Sequence, residues 1–172
     1  KLLASAAAIG NFDGVHIGHK EVIKIAKNKA NKLDLPLSLI TFNPHPREFF
    51  SKSCDKFLLL SQKHKVKYLE ELGIDQLINI KFDKLFSNFT AENFIKKILN
   101  ESLNIKHIFV GRDFHFGKNR AGNIDTLLKI GKNYNIGVTP IELKSFEGKI
   151  ISSTAIRKYL SDGDIQKVNK SL

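Results

Sequence analysis

Apolar residues gather into five short runs separated by stretches of helical period. Residues 6–9, 36–42, 76–80, 107–110 and 136–143 have strand length, with Pro140 limiting how far the fifth can pair. Between the first two runs, Ile17, Val22, Ile25, Ala26, Ala30 and Leu33 keep helical spacing while lysines occupy the other side, predicting a helix over 17–33 that lies on a core. A second helix spans 61–72, with Ser61 as N-cap and Gly73 as its stop, and a third opens at Thr90 and runs to about Leu103. A fourth covers 124–134, a fifth follows the hydroxyl run at 152–154 and ends at Asp162-Gly163-Asp164, and Asp164 starts a last one. Phe82, Phe86, Phe89 and the segment 57–60 read as core and loop anchors. Strands alternating with helices predict an α/β domain with a five-stranded, mostly parallel sheet joined by right-handed crossovers.

The first strand leads into Gly10-Asn11-Phe12-Asp13-Gly14-Val15-His16-Ile17-Gly18-His19. Two glycines allow a tight turn into the helix, whose free N–H groups and dipole favour an anion there. His16 and His19, three apart, share one side of the first helical turn, and Gly18 between them lets a polyphosphate approach the backbone. The plainer reading is that the histidines only cap or pack. Zinc is a weaker reading, because Cys54 is the only cysteine and has no C-x-x-C partner.

Three further segments follow the same logic. Asn43-Pro44-His45-Pro46-Arg47 stands directly after the second strand, where two prolines stiffen a loop and leave Asn43, His45 and Arg47 at the strand's carboxyl end. Residues 111–123 carry three glycines, two aromatics and three cations after the fourth strand, as expected of a mobile flap over a flat, charged ligand. In it Phe114 and Phe116 offer apolar faces and Asp113 accepts hydrogen bonds. Ser152-Ser153-Thr154 entering a helix, with Arg157 one turn in, makes a second helix-terminal anion site with a permanent cation. A rigid connector, a polar loop and an ordinary cap are the respective plain alternatives.

At 172 residues and 42% hydrophobic content, the chain forms one domain. Its net charge of +11 attracts phosphate backbones, but arginine stands only at 47, 112, 120 and 157 and the lysines are scattered. Such charge speaks to non-specific attraction, so neither a nucleic-acid nor a membrane partner is expected. One cysteine, no signal-peptide pattern and no bilayer-length apolar run, in a chain starting at Lys1 rather than Met, lead us to expect a cytoplasmic protein.

Together the segments 9–19, 41–47, 111–122 and 151–157 resemble, in order, the FMN adenylyltransferase module of prokaryotic bifunctional FAD synthetases, a branch of the H-x-G-H nucleotidylyltransferase superfamily. G-N-F-D-G-V-H-x-G-H with P-H-P-R, D-F-x-F-G and I-S-S-T-x-I-R is specific to that branch and covers nearly the whole chain. The resemblance implies a Rossmann-like α/β/α sandwich and the reaction ATP + FMN → FAD + pyrophosphate with Mg²⁺. It implies that His16 and His19 hold the ATP phosphates and the charge developing at the α-phosphate, with Gly10, Phe12, Asp13, Gly14 and Gly18 around them. Ser153, Thr154 and Arg157 would form a second phosphate motif, and Asn43, His45 and Arg47 would approach the flavin phosphate. Asp113, Phe114 and Phe116 would shape the nucleotide and flavin pockets, with His115 where the family often carries arginine. No protein metal ligand is implied, Mg²⁺ being expected on the ATP phosphates. The C-terminal riboflavin kinase domain of the bifunctional enzymes is expected to be absent from these residues, the chain being either a natural single-function enzyme or a fragment with the kinase outside it. Pantetheine-phosphate or nicotinamide-mononucleotide adenylyltransferases share the fold and phosphate sites but leave P-H-P-R and D-F-x-F-G unexplained; a non-catalytic flavin or nucleotide binder is the other alternative.

Overall fold

The computed structural model describes residues 2–51, 58–142 and 151–172. Five parallel strands, β1 (Ser5–Ile9), β2 (Leu37–Asn43), β3 (Gln76–Lys81), β4 (Ile105–Gly111) and β5 (Gly137–Ile141), form one sheet in the order β3-β2-β1-β4-β5. All its strands are parallel, and Pro140 sits opposite Val110 on the edge strand, where its missing donor removes no inner ladder bond.

Helices cover both faces. Ala7 and Ile9 of β1 join Ile40, Ile108 and Val110 over Phe94, Ile95 and Leu99, while Ala6 and Ala8 join Leu37, Leu39 and Phe109 over Ile23, Ala26 and Leu69. The alternation of one strand between two cores is the period-2 geometry of a sheet sandwiched between layers. Helix α1 (Ile17–Lys32) buries Ile23, Ala26 and Ala30, so its contact stripe centres on Ile23 and not on the flanking Val22 and Ile25. Leu33 is a correction: it is the C-cap, beyond the last helical turn, and is 46% exposed.

Helix α2 (Pro46–Phe50) replaces the expected loop after β2; His45 caps it, and Pro46 fits the first turn, where no N–H is needed. Helix α3 (Gln62–Glu71) begins at the expected Ser61 cap, and Gly73 takes a φ of +71° at its end. A short α4 (Lys84–Ser87) precedes α5 (Ala91–Asn93), which is capped by Thr90 and passes into π-helix over Phe94–Ser102, closed by the Leu103 N–H on the Ile98 carbonyl at 2.9 Å. Apolar spacing does not distinguish that wider register from an α-helix. Helix α6 (Ile124–Gly131) tightens to a 3₁₀ turn over Lys132–Tyr134, and α7 (Ser153–Ser161) and α8 (Ile165–Ser171) follow. Phe57, Cys54 and the expected end of the fifth strand at Leu143 lie outside the described residues.

From β1 the chain winds outward to β2 and β3, then crosses back to β4. The carboxyl ends of β1 and β4 therefore flank the point where the winding reverses, which is where ligands enter open α/β sheets.

Candidate active site

The turn leaving β1 folds back tightly. Phe12 and Val15 hold φ of +48° and +39°, uncommon for residues with a side chain and a sign of local strain. Gly14 takes φ +86°, a conformation that strains residues with a side chain, and a Cβ there would crowd the tip of the Leu59 side chain at 2.8 Å. The Gly10 N–H donates to the Ile40 carbonyl at 3.1 Å, and Phe12 is buried with its ring edge-on to His19 at 5.2 Å.

His16 caps α1 and lies beside His19, their rings stacked 3.6 Å apart at 20°. His16 Nδ1 accepts from the His19 backbone N–H at 3.3 Å, which leaves the ring proton on Nε2 as a donor. The capping reading holds for His16 through Nδ1, and it does not use Nε2, the nitrogen that the ligand reading needs. A Cβ on Gly18 would press on the His16 ring at 3.1 Å, so the glycine in H-x-G-H protects that ring position.

Burial pushes His16 down to about 4 against the opposing pull of Asp13, and it pushes His19 well below the usual histidine range, with the charges of His16 and Lys65 acting in the same direction. Both rings are therefore neutral near pH 7. His45 is likewise lowered to about 4, by burial first and then by Arg157, Arg47 and Lys65 against Asp13. Between pH 6.5 and about 4 the unfolded chain therefore binds protons that these folded rings refuse, and stability falls as pH falls through that window. Urea midpoints should drop from pH 7 to pH 5 and drop less in His16→Asn, which keeps an N-cap; a midpoint unchanged over that interval would contradict neutral, buried rings.

The last helix of the site is tied to the first turn through Asp13, which is 3% exposed. Its carboxylate accepts from the Leu59 N–H (3.0 Å) and the Leu60 N–H (3.3 Å) and pairs with the Arg157 guanidinium, while its main-chain carbonyl accepts from Ser153 Oγ at 2.8 Å. Asp13 is an organiser: it holds Arg157, Ser153 and the start of α3 around one turn. Arg157, expected as a cation for phosphate, is ion-paired here. Ser152 caps α7 by accepting from the Ala155 N–H, and the Ile151 carbonyl lies close to Gly18, so the amino ends of α1 and α7 meet.

The β2 segment joins the same place. Arg47 Nη1 donates to Thr154 Oγ1 at 3.3 Å, and His45 Nδ1 accepts from the Arg47 N–H at 3.0 Å. Asn43 is exposed at the strand end and precedes a cis peptide bond to Pro44. The flap is the segment that stands apart. Phe116 is buried against Phe94 (5.5 Å) and stacked with Phe114 (5.4 Å, 15°), so it belongs to the core and does not present a free face. Asp113 and His115 are exposed, the His115 ring bonding the Asp113 carbonyl through Nδ1 at 2.8 Å.

One residue of this region escapes sequence reasoning. Lys65, in the first turn of α3, is 7% exposed, and its Nζ reaches the Asn11 carbonyl at 3.5 Å. Burial lowers its pKa, against the pull of Asp13. The available signal is its place on the apolar stripe Lys65-Leu69-Leu72 of an otherwise charged helix. Asn11 Oδ1 and His19 Nδ1 are also buried here without a hydrogen-bond partner among the described residues. No cluster of three or more potential metal ligands occurs among those residues, and no helix is long and apolar enough to cross a membrane.

A family model described as FAD synthetase matches residues 2–155. The chain belongs to this family. It is 43% identical over 169 residues to a bifunctional riboflavin kinase/FMN adenylyltransferase of Buchnera aphidicola subsp. Schizaphis graminum, covering 98% of this chain and 54% of that protein. The same-named protein of Escherichia coli K12 is 37% identical over 91% of this chain and 50% of its own length. This FAD synthetase family chain thus spans about half the length of the curated relatives it matches. A crystal structure of a macrolide-efflux protein from Streptococcus pneumoniae superposes with a TM-score of 0.84 at 28% identity, over 97% of this chain and 54% of that one. Thermotoga maritima TmcAL bound with alpha-thio ATP, at 14% identity and a TM-score of 0.60 over 99% of this chain and 53% of that one, shares the fold alone.

Proposed function

We propose that the chain transfers AMP from ATP to FMN, releasing pyrophosphate and forming FAD. The observation that carries this is the convergence of two helix amino ends, two adjoining histidines and two arginine-bearing segments at one reversal point of a parallel sheet, in a member of the FAD synthetase family. An FMN phosphate oxygen attacks the ATP α-phosphorus in line, and the bond from that phosphorus to the bridging oxygen breaks, the electron pair leaving with pyrophosphate. No protein nucleophile is required, so positioning and fixed dipoles lower the barrier. His16 and His19 donate to the phosphate oxygens as neutral rings, while the amino end of α7 and Arg157 receive charge that develops in the transfer. Asn43, His45 and Arg47 orient the FMN phosphate, and Asp113 and Phe114 border the flavin.

Mg²⁺ accompanies ATP as part of the substrate and there screens the charge of the phosphates. Among the described residues no three potential metal ligands cluster, and the buried carboxylate of Asp13 is engaged by two amides and Arg157. FMN is supplied by a riboflavin kinase, in the same polypeptide as in the relatives or as a separate protein, and the work takes place in the cytoplasm.

Incubating the protein with FMN, ATP and Mg²⁺ should yield FAD and pyrophosphate in equal amounts by chromatography. Flavin binding without FAD would make the chain a carrier. His115 should matter on the flavin side: His115→Ala is expected to raise the KM for FMN more than that for ATP, and equal changes would remove it from that role.

A further inference from the structure

Among the described residues, one buried ammonium group is not used by the reading above. Lys65 projects from α3 into the space beside the β1 turn, where it is 7% exposed and its single hydrogen bond among the described residues, to the Asn11 carbonyl, is long at 3.5 Å. An ammonium has three donors to satisfy, and a buried cation is normally matched by an anion. Among the described residues no carboxylate lies within ion-pair distance of Lys65. Of the described carboxylates only Asp13 is buried, and its oxygens already face Leu59, Leu60 and Arg157. Folding therefore holds a desolvated, under-coordinated cation at the mouth of an anion site. An apolar residue at this point of the stripe would pack as well without the desolvation cost.

We infer that Lys65 is a substrate-binding residue whose ammonium contacts the polyphosphate of ATP, completing its donor set with phosphate oxygens. The side of the site follows from its anchor: Asn11 precedes Phe12, whose ring lies against His19, whereas the Arg47 segment is tied to Thr154 on α7. Lys65 thus belongs with the H-x-G-H turn. This inference rests on the adenylyl-transfer reading for the identity of the nucleotide, but phosphate binding tests it independently of turnover.

Calorimetric titration with inorganic pyrophosphate and with a non-hydrolysable ATP analogue, and quenching of FMN fluorescence, would be measured for the wild type, Lys65→Met and Lys65→Arg. Lys65→Met keeps the apolar stem and should weaken pyrophosphate and the ATP analogue about tenfold or more, as expected for a lost charged hydrogen bond. FMN affinity should stay within about twofold, and Lys65→Arg should recover part of the loss. In wild-type protein, pyrophosphate should also protect Lys65 from trace acetylation, a readout that needs no variant. Unchanged phosphate affinity in Lys65→Met, loss of FMN affinity in place of ATP affinity, or acetylation indifferent to pyrophosphate would each overturn the assignment. A wild type that binds ATP but makes no FAD would refute the transfer reaction and leave the Lys65 result to stand on binding.

Discussion

Asp13→Ala is expected to lower the thermal midpoint by roughly 10 °C and to remove nearly all turnover, although Asp13 touches no reacting atom in the proposed mechanism. The substitution strands the Arg157 guanidinium and leaves two inward-facing amides, those of Leu59 and Leu60, without their acceptor. Breaking one side of a buried pair costs about 3–5 kcal/mol, which for a domain of this size is about 6–20 °C. The activity loss follows from geometry: Arg157, Ser153 and the start of α3 are all fixed by this residue. Asp13→Asn offers one carbonyl oxygen to the amides but no charge to Arg157, so it should recover stability more than activity. Scanning calorimetry and FAD formation on the two variants separate these effects. An Asp13→Ala protein that melts with the wild type would show that the carboxylate organises nothing.

His19→Ala should instead leave the fold and remove the chemistry. The ring sits against Phe12 and His16 with a buried Nδ1 that has no hydrogen-bond partner among the described residues, so its loss leaves none of those residues without a partner and removes only some packing. Turnover should fall about 10²–10³-fold, the scale on which single preorganised donors act on a transition state, with a melting midpoint close to that of the wild type. Substrate affinity weakened in step with an unchanged kcat would demote His19 to uniform binding.

The sheet and most helices were legible because strand-length apolar runs and capping residues repeat along the chain: Ser61, Thr90 and Ser152 each cap the helix they announce. Leu33 misled because periodicity continues past the last hydrogen-bonded turn, and the π register over Phe94–Ser102 was invisible because one apolar face serves either helix. The site was legible where chemistry sits in consecutive residues, as in H-x-G-H. It was obscure where a residue's neighbours come from afar. Asp13 reads locally as a polar residue of a glycine turn, and only the fold shows its charge turned inward to Arg157. Lys65 reads as one lysine among many, and Phe116 as a flap aromatic although Phe94 and Phe114 enclose it.

The contact between Asp13 and Arg157 joins residues 144 positions apart, and that separation has a consequence for synthesis. A chain emerging amino end first completes β1 and its histidine turn early, yet the buried carboxylate meets its cation only after α7 has left the ribosome and docked. Until then the two histidines are present without the arginine. Under the transfer proposed above, the order of translation leaves the site without its arginine in every nascent chain that has not yet made α7.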